Sequence, residues 1–289
     1  VSPHRPLIRY HGGKWFLAQW IISHFPTHRV YVEPFGGAAS VLLQKPRCFA
    51  EIYNDLDGEI SNLFEVVRDH GYELVRLLEL TPFSRKEFDL SYQRGSDPIE
   101  CARRTVVRAY MGFGSTVTRA TRKDVPMRTG FRSNSNRSGS SPAADWRNLP
   151  YNVPAIIERL RGVVIENRDA AEVMVRHDSE TTLHYVDPPY VHSTRTQDTG
   201  GHRRGYRYEL TDADHGHLAS VLHGLSGAVV LSGYGCDLYD RELYPDWHRV
   251  ERTARADGAK ERTEVLWLNP PAAAAAASEL FRREELSRV

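Results

Sequence analysis

Short runs rich in β-branched residues, each closed by turn residues, alternate along this chain with longer stretches of helical spacing, and that alternation restricts the fold most. Val30-Tyr31-Val32-Glu33 runs into Pro34 and the Gly36-Gly37 pair, and an apolar stretch through Val41, Leu42 and Leu43 follows. The segment predicts strand, tight turn and helix. Further strands are expected over Arg47 to Tyr53, Gly162 to Asn167, Thr182 to Val186, Ala228 to Ser232 and Glu264 to Asn269. Helices are expected over Glu59 to His70, Ala170 to Arg176 and Asp212 to His223. Strands alternating with helices imply an α/β fold with a mostly parallel sheet covered on both faces.

The middle of the chain departs from this rhythm. Gly71 to Tyr110 is helical in pattern without strands, and Gly112 to Asn148 is rich in Gly, Ser, Thr, Asn and Arg, with little to bury over Ser133 to Ser141. We read residues 71–154 as an insertion, helical first and then a basic, mobile loop that orders on a partner, between the two parts of one larger domain, 1–70 and 155–289. Pro270-Pro271 and the alanine run Ala272 to Ala277 read as the end of that domain followed by a peripheral helix.

Composition excludes several classes. With 40% hydrophobic and 26% charged residues the chain is ordinary for a globular protein, and it has no apolar stretch of the length that a membrane span needs. The opening residues carry no apolar core of a secretory signal, which leads us to expect a cytoplasmic protein. Cys48, Cys101 and Cys236 are odd in number and have no C-x-x-C spacing, against both a disulfide framework and a thiolate zinc site. His215 and His217 stand on a helix without further ligands at metal spacing, so no catalytic metal is expected. No nucleophile elbow or activated cysteine is present, and a covalent mechanism has no candidate.

The net charge of +1 hides an asymmetry. Arg103 to Arg147 holds ten basic residues and two acidic ones, a local charge of +8 that leaves −7 on the remainder. A concentrated cationic stretch on an acidic body suits a phosphate-bearing partner, with Arg119, Arg122, Lys123, Arg128, Arg132 and Arg137 as candidate nucleic-acid contacts. A solvated basic loop is the alternative.

Asp187-Pro188-Pro189-Tyr190 directly follows the apolar run Leu183 to Val186. Two prolines stop the strand and make a rigid turn at its C-terminal edge, where open α/β sheets bind ligands. A carboxylate, a proline carbonyl and an aromatic ring are presented together, a set able to hold a flat base with an exocyclic amine. Asp187 and the Pro188 carbonyl accept its two N–H groups while Tyr190 stacks on the ring.

Glu33-Pro34-Phe35-Gly36-Gly37 places glycines at a strand-to-helix turn, where the backbone can approach a ligand closely. Asp55, at the end of the next strand, can accept bonds from ribose hydroxyls, with a helix N-cap as the alternative. Together they suggest a nucleoside-containing cofactor. Tyr10-His11-Gly12-Gly13-Lys14 lacks the spacing of a nucleotide phosphate loop and by itself reads as a surface turn before a helix.

Taken in order, these motifs resemble the Dam-like, D12 class of DNA adenine N6-methyltransferases, particularly its phage and prophage members. Tyr10 to Lys14 resembles the family's N-terminal glycine-lysine motif, Glu33 to Ser40 its cofactor loop, and Asn54-Asp55 its ribose-binding acid. Glu166 to Asp169 resembles the strand end whose Asp bonds the cofactor adenine, Asp187 to Tyr190 the D-P-P-Y tetrapeptide, and Arg262 to Asn269 the closing strand. Two positions depart from the pattern: Ala39 stands where the second glycine of the loop is expected, and Tyr10 where Trp is common.

The resemblance implies a Rossmann-like S-adenosylmethionine-dependent methyltransferase sheet carrying an inserted target-recognition domain at 71–154. It implies S-adenosylmethionine as cofactor, held by Tyr10, Lys14, Glu33, Pro34, Phe35, Gly36, Gly37, Asp55, Asp169 and Asp187. Asp187, Pro188, Pro189 and Tyr190 form the catalytic set, and double-stranded DNA in the cytoplasm of a bacterial host or a phage-infected cell is the partner. The alternatives are the same fold acting on RNA or on cytosine N4, and a non-catalytic DNA-binding module.

Overall fold

The computed structural model describes residues 2–114, 120–122, 125–133, 140–195, 206–255 and 261–276. Its main sheet has seven strands in the order β5-β2-β1-β6-β7-β9-β8. These are β1 (Val30–Glu33), β2 (Ala50–Asn54), β5 (Val163–Glu166), β6 (Thr182–Val186), β7 (Ala228–Tyr234), β8 (His248–Arg255) and β9 (Glu261–Leu268). The first five pair in parallel, and β9 joins antiparallel between β7 and β8. β8, which the periodicity does not announce, forms the edge through a hairpin with β9.

Alternation along the strands sorts side chains to two faces. Tyr31, Tyr53, Tyr185, Val230 and Leu266 join one buried cluster, and their neighbours Val32, Ile52, Val186, Leu231 and Trp267 join the other. The first face is covered by α1 (Ala18–Ile22), α2 (Gly58–Leu80), α3 (Arg85–Leu90), α4 (Pro98–Met111), α5 (Pro142–Asn148) and α6 (Val153–Leu160). The second is covered by α7 (Ala170–Arg176) and α8 (Asp212–His223). The result is a three-layer α/β fold of the Rossmann-like type. Among the described residues no helix is long and apolar enough to cross a membrane.

Local chemistry accounts for the helix ends. Asp57, Ser84, Asp97, Ser141 and Asp169 each accept a backbone N–H of the first turn that follows, and Thr211 with Asp214 makes a reciprocal capping box at α8. α2 runs straight through the position where the sequence suggests an insertion begins, with a kink at His70. Gly71 follows the kink because α6 crosses there: a Cβ on Gly71 would fall 2.4 Å from Ile157.

Three expectations are corrected. The stretch through Val41, Leu42 and Leu43 forms successive turns rather than a regular helix. The buried Glu33 carboxylate takes the Leu42 N–H at 3.0 Å, so that donor is not free for an i−4 carbonyl, and Pro46 stops any extension. The segment read as a loop contains α5 and a small antiparallel pair, β3 (Ala120–Arg122) with β4 (Val125–Pro126). The helix expected over the alanine run is present at 270–276 and opens on the Pro270-Pro271 pair, because proline suits a helix's first turn, but it is packed on the core and not peripheral. Asn269 Oδ1 accepts the Ala272 N–H at 3.1 Å, and Ala272 is fully buried.

Candidate active site

In the sheet order the chain departs in opposite directions from β1, to β2 on one side and β6 on the other. The crevice beyond the C-terminal ends of those two strands is where an open α/β sheet takes its ligand. Glu33 ends β1 and Asp187 follows β6 directly, so both carboxylates arrive there by topology.

The glycine turn after β1 is held by groups from β2. Gly36 donates to the Asn54 carbonyl at 2.8 Å, Gly37 donates to Asp55 Oδ2 at 2.8 Å, and the Tyr53 hydroxyl donates to the Gly37 carbonyl at 2.7 Å. A side chain at Gly36 would place its Cβ 2.0 Å from the Tyr53 ring, and Gly37 has φ +49°, so each glycine is required for its own reason. Ala39 has φ +52°, the left-handed conformation that the missing glycine would adopt without strain.

Asp55 is not the helix N-cap; that role belongs to Asp57, whose N–H bonds Asp55 Oδ1 at 2.8 Å. Burial pushes the Asp55 carboxyl up to about 7, against the pull of the Asp57 and Gly37 N–H groups. Burial likewise pushes Glu33 up to about 8, although its Oε2 accepts the Tyr31 hydroxyl at 2.7 Å. Asn54, whose contribution the sequence does not reveal, ties three strand ends together. Its Nδ2 donates to the carbonyls of Pro34 at 2.9 Å and Arg168 at 3.1 Å.

On the β6 side, Lys14 Nζ lies 3.1 Å from Asp187 Oδ1 and 4.6 Å from the centre of the Tyr190 ring. Burial acts to lower the Lys14 ammonium's pKa, but the Asp187 and Glu264 carboxylates outweigh it and raise it. Burial raises Asp187, with Lys14 opposing. The Tyr190 hydroxyl donates to Glu264 Oε2 at 2.9 Å and lies 3.2 Å from Ser232 Oγ, and its ring meets Tyr234 edge-on. The Tyr10-to-Lys14 segment is therefore part of the site and not a bare surface turn.

One pocket gathers Tyr10, Lys14, Glu33, Pro34, Phe35, Gly36, Gly37, Asp55, Asp169, Asp187 and Pro189. Pro188 and Tyr190 are not on its wall; Pro188 is buried behind it, and Tyr190 stands beside Lys14. Asp169 caps α7 through Oδ1 while it lines the pocket. The wall also includes Tyr206, Arg207, Tyr208 and His217, which the sequence reasoning missed. Arg207 bonds Asp57 at 2.7 Å and Glu59 at 3.2 Å. The aromatic and basic interleaving of Tyr206-Arg207-Tyr208 was the signal that could have found the first three.

The sequence matches the family described as D12 class N6 adenine-specific DNA methyltransferase over residues 10–256. The chain belongs to that family. It is 24% identical to the DNA adenine methylase of Escherichia coli (strain K12), over 94% of this chain and 97% of the relative. It is 25% identical to the DNA adenine methylase of Salmonella typhi, over 95% and 98%. The chain is thus an adenine-specific DNA methyltransferase, and DNA is its substrate.

Part of the methyltransferase's basic segment is paired within the fold. Arg103 pairs with Glu87 and Glu100, Arg104 with Glu100, and Arg108 with Glu59, so part of the local charge is neutralised within the fold. Arg132 donates to the Tyr110 carbonyl at 3.2 Å near the C-terminus of α4, a favourable place for a cation. Arg128 is largely exposed and pairs with Asp89 at 2.5 Å. Arg122 lies on β3, whereas Arg119, Lys123 and Arg137 lie outside the described residues.

Proposed function

We propose that the methyl donor is S-adenosylmethionine and that the acceptor is an adenine turned out of double-stranded DNA into the crevice beside Asp187. The single observation that carries the reading is that the Asp187 carboxylate opens into the same pocket as the Gly36-Gly37 turn and Asp55, so that an acceptor for an amine adjoins a nucleoside-shaped cradle.

The residues present fit the donor. Its flat nucleoside needs close backbone approach, and Gly36 and Gly37 leave that space. Its ribose hydroxyls need a buried acceptor, and Asp55 supplies one. Asp169 and the cap it makes at α7 serve the adenine side. Ser40 lines the pocket, and its buried Oγ has no hydrogen-bond partner among the described residues, a need that a polar ligand group would satisfy. When bound, S-adenosylmethionine supplies an activated methyl on a sulfonium.

The chain's own residues prepare the amine. An adenine amino lone pair is delocalised into the ring and attacks poorly until its geometry moves toward tetrahedral. Asp187 and the Pro188 carbonyl accept its two N–H bonds and stabilise the positive charge that develops on nitrogen. Tyr190 replaces the stacking lost when the base leaves the duplex. Tyr10, Phe35 and the glycine turn exclude water and fix the line of transfer, from which much of the rate derives. Neither a metal nor a covalent intermediate is required.

Residues 71–154 form the target-recognition unit, with Arg119, Arg122, Lys123, Arg128 and Arg137 toward the DNA backbone, while Arg132 is held by the Tyr110 carbonyl. The enzyme works in the cytoplasm, where bacterial or infecting phage DNA is reached. The test is transfer of labelled methyl from S-adenosylmethionine to unmethylated duplex DNA, followed by nucleoside analysis and mapping. N6-methyladenine at a short motif is expected. Label in RNA or single strands only would overturn the duplex reading.

A further inference from the structure

The buried Lys14 ammonium has two oxygen neighbours and a ring beneath it. It donates to the Gly12 carbonyl at 2.9 Å, lies 3.1 Å from Asp187 Oδ1, and stands 4.6 Å from the Tyr190 ring centre. On the reading above, the Asp187 carboxylate receives an N–H of the target amine and the Tyr190 ring receives the face of the base. An N–H donor already at that carboxylate and above that ring stands in the target amine's place. We propose that Lys14 is a resident surrogate for the adenine amine, seated on Asp187 until the base arrives and then withdrawn toward the Gly12 carbonyl. This inference rests on the base-binding role proposed for Asp187 and Tyr190.

The physical need for a surrogate follows from burial. A carboxylate removed from water and left without a partner takes up a proton, and a protonated carboxyl turns one of its acceptor positions into a donor. Around Asp187 stand the carboxyls of Glu33 and Glu264, the phenols of Tyr10, Tyr185, Tyr190, Tyr206 and Tyr239, and the Lys14 ammonium. Arg195 reaches the Tyr190 carbonyl on the far side of that turn. Among the described residues Lys14 is the cation paired with Asp187, its Nζ 3.1 Å from Oδ1 as an ion pair.

The second acceptor gives the ammonium somewhere to remain. Gly12 has φ +74°, and a Cβ there would fall 2.3 Å from the Tyr206 hydroxyl, so the turn is built of glycine and backed by that phenol. Its carbonyl can keep Lys14 bonded after Asp187 is released, so displacement need not strand a charge in the interior. Lys14 is accordingly a positioning residue that acts through Asp187.

Single-turnover methylation of duplex DNA carrying the mapped target, with S-adenosylmethionine saturating, tests the proposal across neutral pH. In Lys14→Met the acid limb of the rate should move up by about one pH unit or more, a tenfold loss at the acidic end, with activity recovered at alkaline pH. Lys14→Arg, which keeps the cation, should leave the limb near its original position. An unmoved limb with only a weaker KM for the cofactor, or inactivity of folded Lys14→Met at every pH, would overturn it.

A measurement on the unaltered enzyme does not depend on the variants folding. The Lys14 ammonium nitrogen resonance should keep its ion-paired shift with a duplex abasic at the target position and lose it with adenine there. Equal shifts in the two complexes would overturn the proposal. If the unaltered enzyme methylates no duplex adenine, the underlying base-binding reading has failed instead.

Discussion

Tyr190, in the turn after β6, donates its phenol hydrogen to Glu264 Oε2 on β9 at 2.9 Å, two strands away across the sheet. The Tyr190 ring is thereby anchored to the antiparallel end of the sheet. Glu264 is 7% exposed and depends on such donors. Tyr190→Phe should lower stability by about 1–3 kcal/mol, the cost of leaving a buried acceptor short of a donor, while most stacking is kept. Urea denaturation measures the first effect. Tyr190→Ala should lose far more activity than Tyr190→Phe in the methylation assay.

Asp187→Ala removes the acceptor proposed for the amine and leaves the residues proposed to face DNA in place. Methyl transfer should fall by at least about a hundredfold, with DNA affinity little changed. Single-turnover rates and a DNA-binding titration on the same preparation separate the two, and substantial activity in the variant would sink the assigned role.

Cofactor affinity should depend on pH through Asp55 and Glu33. Burial pushes these carboxyls up to about 7 and about 8, so both bind protons more tightly in the folded chain than in the unfolded one. Their contribution to stability is therefore greatest in acid and is lost as pH rises through those values. Acceptance of ribose hydroxyls calls for the ionised form of Asp55, so S-adenosylmethionine should bind up to about tenfold more tightly per pH unit as pH rises toward 7. Calorimetry in buffers of different ionisation heat would detect the accompanying proton release, and Asp55→Asn should flatten the dependence.

The turn after β1 predicts opposite outcomes at two neighbouring positions. Gly36→Ala drives a Cβ into the Tyr53 ring and should cost about 1–3 kcal/mol together with cofactor affinity. Ala39→Gly relieves a left-handed alanine at the expense of one buried methyl, and should change stability by less than about 1 kcal/mol. Thermal denaturation with and without S-adenosylmethionine compares them.

Neutralising Arg119, Arg122 and Lys123 together should weaken DNA binding and flatten its dependence on salt, by roughly 0.9 in slope for each phosphate that the protein no longer neutralises. An unchanged slope would remove these residues from the DNA backbone. Arg132→Gln, by contrast, should act on stability through the Tyr110 carbonyl that it bonds.

Much of this protein was legible in the order of its residues, because strand and helix periodicity, capping residues and proline stops are local properties. β1, β6, α7 and α8 fall where the pattern puts them, and Asp187 reaches the sheet edge because two prolines end its strand. Tertiary structure decided what depends on residues distant in sequence. The Lys14–Asp187 pair spans 173 positions, Arg207 meets Asp57 across 150, and the Tyr190 anchor lies on a strand running the other way. It also turned apparently free arginines inward: the formal charge of the basic segment is a property of the chain, but Arg103 and Arg108 meet Glu87 and Glu59 once α2, α3 and α4 pack together, whereas Arg104 meets Glu100 one turn away within α4. Periodicity carries information over a few residues, whereas a pocket wall is assembled by chain crossings that no local pattern encodes.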